Sequence, residues 1–379
     1  MSAIPTRRDF VRASAAAAAG AITLGCGGSE RKTRRPPSEG PLDILVLGGT
    51  GFIGPHEVEH ARSRGHALTL FNRGQTAPGM FPDIEQLRGD RGGDLTALEG
   101  RTWDVVIDNS GFYPRHARLS AELLADSVDT YMFVSSISAY DESLPPGVDE
   151  YNAPLATMAD PADESEGPYG PSYGPRKALC EREILDVFGE DRTIIVRPGV
   201  ITGPGDPTDR VRHWLARLVR QEEVLVPGYA GDPVQLIDVR DMTGWMVRML
   251  ESGDTGLYNA VGPDYQLTMD ELVNGARSVT ESDAELVWVS DEYAIESQIS
   301  GLYSPWIPAS GPRGFMLVNN GRALATGLTF RPLRDVLTDM LVEYRERVAE
   351  TPDFGTRAGA PLEREAGLIE GWRRRSVAG

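Results

Sequence analysis

At 379 residues, with 40% hydrophobic and 25% charged side chains, the chain is long enough for one large or two modest domains around a real core. Its formal net charge is −18, and residues 1–40 hold seven basic against three acidic side chains, so the remainder carries −22. A body that acidic repels phosphate backbones, which excludes nucleic acid as an expected partner. The two cysteines, Cys26 and Cys180, cannot build a disulfide framework. Five histidines are scattered, and His56 and His60, although four residues apart on one helix, have no third ligand beside them; no metal is expected.

Thr6-Arg7-Arg8-Asp9-Phe10-Val11-Arg12 precedes a run of small and apolar residues over 13–25, too short to span a bilayer. The pattern resembles a twin-arginine export signal. Leu24-Gly25-Cys26 resembles a lipoprotein cleavage box in which Thr23 replaces the usual aliphatic residue. The expectation is a signal over 1–26, an extracytoplasmic location, and membrane association only through lipidation of Cys26, with an unlipidated chain as the alternative. Residues 27–40 read as a flexible linker.

Residues 42–47 form a short apolar run that ends in Gly48-Gly49-Thr50-Gly51-Phe52-Ile53-Gly54 and gives way to a helical pattern reaching Arg64. This strand, glycine turn and helix suit a pyrophosphate. Glycines let the backbone approach it at a helix N-terminus, where amide donors and the dipole favour an anion. A second strand over 67–71 closes at Asn72-Arg73-Gly74. The acid that meets an NAD ribose is missing there and Arg73 suits a 2′-phosphate, so NADP is favoured, with NAD as the alternative. Strands follow over 84–87, 103–108 and 130–134, with a helix over 117–125. Asp90, a candidate for the adenine amine, and Arg91 follow the first of these; Ser110 follows the second, where a cofactor crosses the sheet edge. Alternating strands and helices at this spacing predict an α/β, doubly wound parallel sheet of the Rossmann type.

Residues 141–170, rich in Pro, Asp and Glu, read as a rim or lid, or equally as a solvated insertion. A helix over 173–188 then carries Tyr173 and Lys177. Of 38 basic residues only Lys32 and Lys177 are lysine, so the folded body holds a single lysine, four residues after a tyrosine. Arginine replaces lysine at most solvated sites, but not where a compact ammonium of tunable proton affinity is needed. At i and i+4 both groups share a helix face, and a cation beside a phenol lowers its pKa toward the range of acid–base chemistry.

A sixth strand over 193–196 ends at Arg197-Pro198. Beyond it a turn-rich loop over 203–210 feeds a helix to Arg220, and short strands over 235–239 and 257–260 flank a helix over 241–251. Thr268 and Glu271 form a capping box for a helix to 278, and another helix spans 333–348. These elements divide the chain into a nucleotide-binding domain over 41–200, an interleaved substrate lobe over 201–350, and a loosely attached tail over 351–379.

The glycine loop, Ser136, Tyr173-x-x-x-Lys177, Arg197-Pro198 and Gly203-Pro204 together resemble the extended short-chain dehydrogenase/reductase family, and within it the NAD-dependent epimerase/dehydratase branch. The resemblance covers residues 42–265 well and 266–349 loosely. It implies that Tyr173 is the acid–base, that Lys177 holds the nicotinamide ribose and depresses the Tyr173 pKa, and that Ser136 binds the substrate oxygen. It also implies cofactor contacts from Gly48, Gly51, Phe52, Ile53, Gly54, Asn72, Arg73, Asp90, Arg91, Ser110 and Pro198, and substrate contacts from Tyr140, Asp209 and Arg210.

Two departures bear on the substrate. Val234 stands where nucleotide-sugar enzymes place a diphosphate-gripping arginine, leaving Arg210 or Arg240 as replacements. Ser136-Ile137-Ser138 lacks the acids of the sugar-nucleotide dehydratases. The expected partner is a small molecule, with a homodimer left open. An exported enzyme cut off from its cofactor pool favours a redox-neutral epimerase or a two-substrate oxidoreductase. The competing class is a non-catalytic NADP-binding protein, as in the RNA-binding chloroplast stem-loop proteins that share the scaffold.

Overall fold

The computed structural model describes residues 34–378. The expected signal and lipidation site therefore lie outside the described residues. From Asp43–Leu47 (β1) the chain passes through the glycine turn into Ile53–Ser63 (α1), then Ala67–Asn72 (β2), Glu85–Arg88 (β3) and Val105–Asp108 (β4). Pro114–Leu124 (α2), Thr130–Val134 (β5), Tyr173–Phe188 (α3) and Thr193–Pro198 (β6) follow. Pro114 opens α2, where its fixed φ and missing N–H cost nothing. The strands β1, β4, β5 and β6 are buried along nearly their whole length because helices cover both faces, and they read as continuous apolar runs.

The second half contains Val200–Thr202 (β7), Arg212–Arg220 (α4), Glu223–Pro227 (β8), Pro233–Val234 (β9), Leu236–Asp238 (β10), Val239–Ser252 (α5) and Gly256–Ala260 (β11). Leu267–Thr268 (β12), Met269–Thr280 (α6), Glu285–Val289 (β13), Asp291–Glu296 (α7), Gly321–Ala325 (α8), Leu333–Val348 (α9) and Leu362–Ala378 (α10) complete it. Both halves of the expected capping box, Thr268 and Glu271, are present at the start of α6.

The main sheet has seven strands in the order β11-β6-β5-β4-β1-β2-β3, all parallel. This is the α/β Rossmann architecture. The order reverses between β1 and β4, whose ends are level, Leu47 opposite Asp108, and ligands of such sheets bind in the crevice beyond this point. Strand β11 and helix α5 belong to this layer although they lie late in the chain: Met242, Trp245 and Met246 share one core with Val58 and Ala61 of α1. A second core, built around Trp214, Leu215, Val226, Leu272 and Leu337, holds the remaining C-terminal elements together.

The C-terminal segment corrects the expectation of a loose tail. Glu365 of α10 is fully buried, accepting from Arg217 Nε at 2.7 Å, the Tyr303 hydroxyl at 2.8 Å and the Leu225 amide at 3.1 Å. A buried carboxylate with that many donors fixes the helix in place.

Candidate active site

The glycine turn divides its work among three positions. Gly48 adopts φ +92°, and a Cβ there would lie 2.8 Å from the Ser110 Cβ, so the turn and the end of β4 meet closely. Gly54 lies against the Gly49 backbone, where an added Cβ would meet the carbonyl carbon at 2.5 Å. Around Gly51 no protein atom falls within 4 Å of such a Cβ. Phe52 caps α1 without any side-chain hydrogen bond to its amides. Open space over free helix N–H groups at the switch point fits a pyrophosphate. Ile53 begins α1, and His56 bonds the Pro204 carbonyl at 2.9 Å, which holds the loop after β7 against this helix.

At the end of β2, Asn72 accepts from the Gly74 amide at 2.8 Å and from the guanidinium of Arg88. Arg73 is exposed beside it. Arg88 stands opposite Asn72 in the parallel register and was not singled out from sequence. The signal was available: pairing β2 with β3 puts a second arginine next to the first. Asp90 caps the Gly92 amide at 2.8 Å and stays exposed at the sheet edge. Ser110 lines the crevice, with its hydroxyl donating to the Leu47 carbonyl at 3.2 Å.

Arg91 is corrected. Its guanidinium is buried and pairs with Asp108 at 2.5 Å, and it also reaches the Ser120 hydroxyl at 3.1 Å. Asp108 is fully buried and requires that cation, so Arg91 braces the underside of the crevice and is not free for a nucleotide.

The first residue of α3 is Tyr173, whose phenol is close enough to Ser136 for that hydroxyl to favour its ionised form. Gly174 makes the approach feasible, since any side chain there would collide with the Ser138 carbonyl. Ser136 also accepts from the Ser138 amide at 3.1 Å, fixing the turn that follows β5. One helical turn on, Lys177 is 2% exposed and donates to the Val134 carbonyl at 2.7 Å and the Gly111 carbonyl at 2.8 Å. Its ammonium lies 3.9 Å from the centroid of the Phe133 ring.

Burial lowers the Lys177 pKa to about 8. Burial raises that of Tyr173, opposed by the Ser136 hydroxyl and the charge of Arg210. The expected depression of the Tyr173 phenol is therefore not found; Lys177 directs its protons at two carbonyls, and the net shift is upward.

The substrate side brings further corrections. Tyr140 is 1% exposed, donating to Asn259 Oδ1 at 2.7 Å and accepting from Arg197 at 2.9 Å. Arg197 in turn pairs with the buried Glu181 at 2.6 Å. Tyr140 thus belongs to a buried network under the site and cannot touch a substrate. Asp209 is buried in a 2.6 Å pair with Arg212 and is likewise unavailable. Arg210 is half-buried, with its side chain on the Thr208 hydroxyl and the Ile201 carbonyl. Pro198 ends β6 level with Ala260 of β11, at the sheet's carboxyl edge.

The end of the long 141–170 segment is fastened over this region. Arg115 grips Glu164 with two 2.9 Å bonds, the Tyr113 hydroxyl donates to the Glu166 carbonyl at 2.9 Å, and Arg176 donates to the Gly167 carbonyl at 2.8 Å. Tyr169 consequently lies 5.2 Å from Phe112 and 5.8 Å from Tyr173, measured between ring centroids.

A doubly wound sheet with a glycine turn at its switch point and Ser136, Tyr173 and Lys177 beyond its strand ends has the architecture of nucleotide-binding α/β folds. Residues 113–261 match the NAD dependent epimerase/dehydratase family. The chain is 26% identical over 196 residues to a 2-alkyl-3-oxoalkanoate reductase from Stenotrophomonas maltophilia, covering 47% of this chain and 58% of the relative. It is 28% identical over 248 residues to the chloroplast stem-loop binding protein of 41 kDa b from Arabidopsis thaliana, covering 60% and 61%. The chain thus spans about three fifths of these curated relatives. The structure superposes on the Bordetella bronchiseptica enzyme WbmG in complex with NAD with a TM-score of 0.60 at 15% identity, over 82% of this chain and 96% of that one. The family match thus covers residues 113–261, and the likeness to the solved structure is one of fold.

Proposed function

We propose that this protein is an NAD(P)-dependent epimerase or oxidoreductase acting on a secondary alcohol, or the matching ketone, of a sugar-like or cyclic substrate. The observation that carries the reading is Tyr173 at the start of α3, near Ser136, with the buried Lys177 one turn away. A bound nicotinamide supplies or accepts the hydride. Ser136 holds the substrate oxygen, and Tyr173 takes the hydroxyl proton as the carbon gives up its hydride, or returns it in the reverse direction. Lys177, with two of its protons on backbone carbonyls, would have the third available to hold the nicotinamide ribose. The reductase arm draws support from the Stenotrophomonas relative, whose name describes reduction of a 3-oxo acid.

For the cofactor we infer NADP, because Arg73 and Arg88 flank the end of β2 where no acid stands. The RNA-binding reading suggested by the chloroplast relative is disfavoured by the charge of −22 beyond residue 40. Export by the twin-arginine route, with Cys26 as a lipidation site, is inferred from residues 6–26; retention of an R7K/R8K variant in the cytoplasm would support it.

The decisive experiment is to purify the folded chain, denature it, and identify the released nucleotide by mass spectrometry. NADP(H) supports the reading, and NAD(H) overturns the role of Arg73 and Arg88. A protein that neither releases nor binds either nucleotide is not an enzyme of this class. With a substrate in hand, Tyr173→Phe should lose at least about a hundredfold in kcat, the lower range of positioned acid–base catalysis. Only partial loss would sink the mechanism.

A further inference from the structure

The arginines around the crevice are nearly all committed. Arg91 is paired with Asp108, Arg212 with Asp209 and Glu343, and Arg240 with Asp238 and Asp339. Arg240 is therefore unavailable as the substitute diphosphate grip that the sequence left open. Arg210 differs. It reaches the Thr208 hydroxyl at 3.0 Å through Nε and the Ile201 carbonyl at 3.4 Å through Nη2, and it forms no ion pair among the described residues. Asp206, an acid within range of its charge, turns one oxygen to the Thr208 amide and hydroxyl instead. The Arg210 charge reaches Tyr173, opposing the effect of burial on that phenol.

We propose that Arg210 anchors a carboxylate on the substrate, and that Tyr169 and Phe112 form the wall against which the neutral remainder lies. The inference rests on the oxidoreductase reading of Tyr173 and takes its probes from the 3-oxo acid arm of that reading. In a strongly acidic chain, a guanidinium that forms no ion pair among the described residues, and whose charge reaches the reactive phenol, is a receptor for an anion, and its planar fork matches a carboxylate. A single such arginine suits one carboxylate better than a nucleoside diphosphate. The Tyr169 ring is 76% exposed yet held within 6 Å of two other rings, which gives a flat apolar surface ready for contact.

The test uses the full chain with NADPH and compares 3-oxooctanoate with its methyl ester in the wild type and in R210Q, following NADPH oxidation. The acid should be preferred by about tenfold or more in kcat/KM, mostly through KM, and the preference should fall to about one in R210Q. A second readout does not need turnover: octanoate should bind the NADPH complex more tightly than octanamide, by fluorescence titration, and R210Q should erase the difference. A neutral probe that equals its acid in the wild type, an acid preference that survives R210Q, or no binding of octanoate would each overturn the anchor. Ester reduction without acid preference leaves the oxidoreductase reading standing. Arg210-dependent octanoate binding without reduction of either ketone keeps the anchor and removes that reading.

Discussion

Lys177 donates to the Gly111 carbonyl at 2.8 Å, which ties α3 to the loop that ends β4. The ammonium therefore has a structural task and a functional one, and replacements separate them. Lys177→Met removes two hydrogen bonds but also removes a buried charge, so the two contributions to stability largely cancel. Its fold should survive within about 1 kcal/mol while activity drops by about a hundredfold or more. Lys177→Arg keeps the charge but must fit a branched guanidinium against the Phe133 ring, an overpacking that costs roughly 1–3 kcal/mol. Chemical denaturation and turnover measured on both variants check the split. A Lys177→Met protein that retains activity would show that the lysine only braces the loop.

The glycine turn offers a sharper separation between folding and binding. Gly54→Ala places a methyl group on the Gly49 backbone and should destabilise the fold by about 2 kcal/mol or more. Gly51→Ala meets no protein atom and should melt within about 0.5 kcal/mol of the wild type. Its methyl group would instead occupy the path of the pyrophosphate, weakening NADP(H) by about tenfold or more, equivalent to ~1.4 kcal/mol. Calorimetric titration alongside thermal melts tests both halves. Unchanged nucleotide affinity in Gly51→Ala would move the pyrophosphate elsewhere.

Much of this arrangement was legible because local rules and the global fold agree. The apolar runs of β1, β4 and β5 are uninterrupted since both sheet faces are covered, and the Tyr173-to-Lys177 spacing needs only the helical period. What escaped depends on how side chains turn toward one another in the fold. Arg91 looked free until Asp108 was buried beside it, Tyr140 until Arg197 and Asn259 closed on its hydroxyl, and Asp209 until Arg212 turned back on it. Each pairing spans a distance or a backbone turn that motif spacing does not encode. Helix α10 was missed for a related reason: its buried contacts run through Glu365 and Ile369, and a charged residue facing inward defeats an apolar periodicity.

Glu57 provides a pH prediction. It is fully buried on α1, accepts from the Asn109 amide at 2.8 Å, and burial pushes its carboxyl up to about 8. The unfolded carboxyl ionises near 4.5, so between pH 4.5 and 8 the folded chain binds more protons than the unfolded one. The Glu57 contribution to stability is thus present below pH 4.5 and is lost as pH rises through 8. Glu57→Gln keeps an acceptor for Asn109 and has nothing to ionise. Its urea stability should gain on the wild type as pH rises from 5 to 8, by on the order of 2 kcal/mol. Parallel curves for the two proteins would mean that Glu57 is ionised in the fold at neutral pH.

The docking of α10 rests on the Arg217–Glu365 pair, 2.7 Å apart with both side chains almost fully buried. Removing one partner is far more damaging than replacing both, because it strands a charge out of reach of water. Glu365→Ala leaves Arg217 with only carbonyl partners and frees the Leu225 amide, and should cost about 3 kcal/mol. Replacing both residues, as Arg217→Met with Glu365→Leu, should recover most of that loss, since apolar groups of similar volume suit the surrounding core of Trp214, Leu215 and Ile369. A double-mutant cycle by urea denaturation measures the coupling. If Glu365→Ala unfolds within about 0.5 kcal/mol of the wild type, the helix contributes nothing to the fold, and the segment behaves as the free tail that its composition suggests.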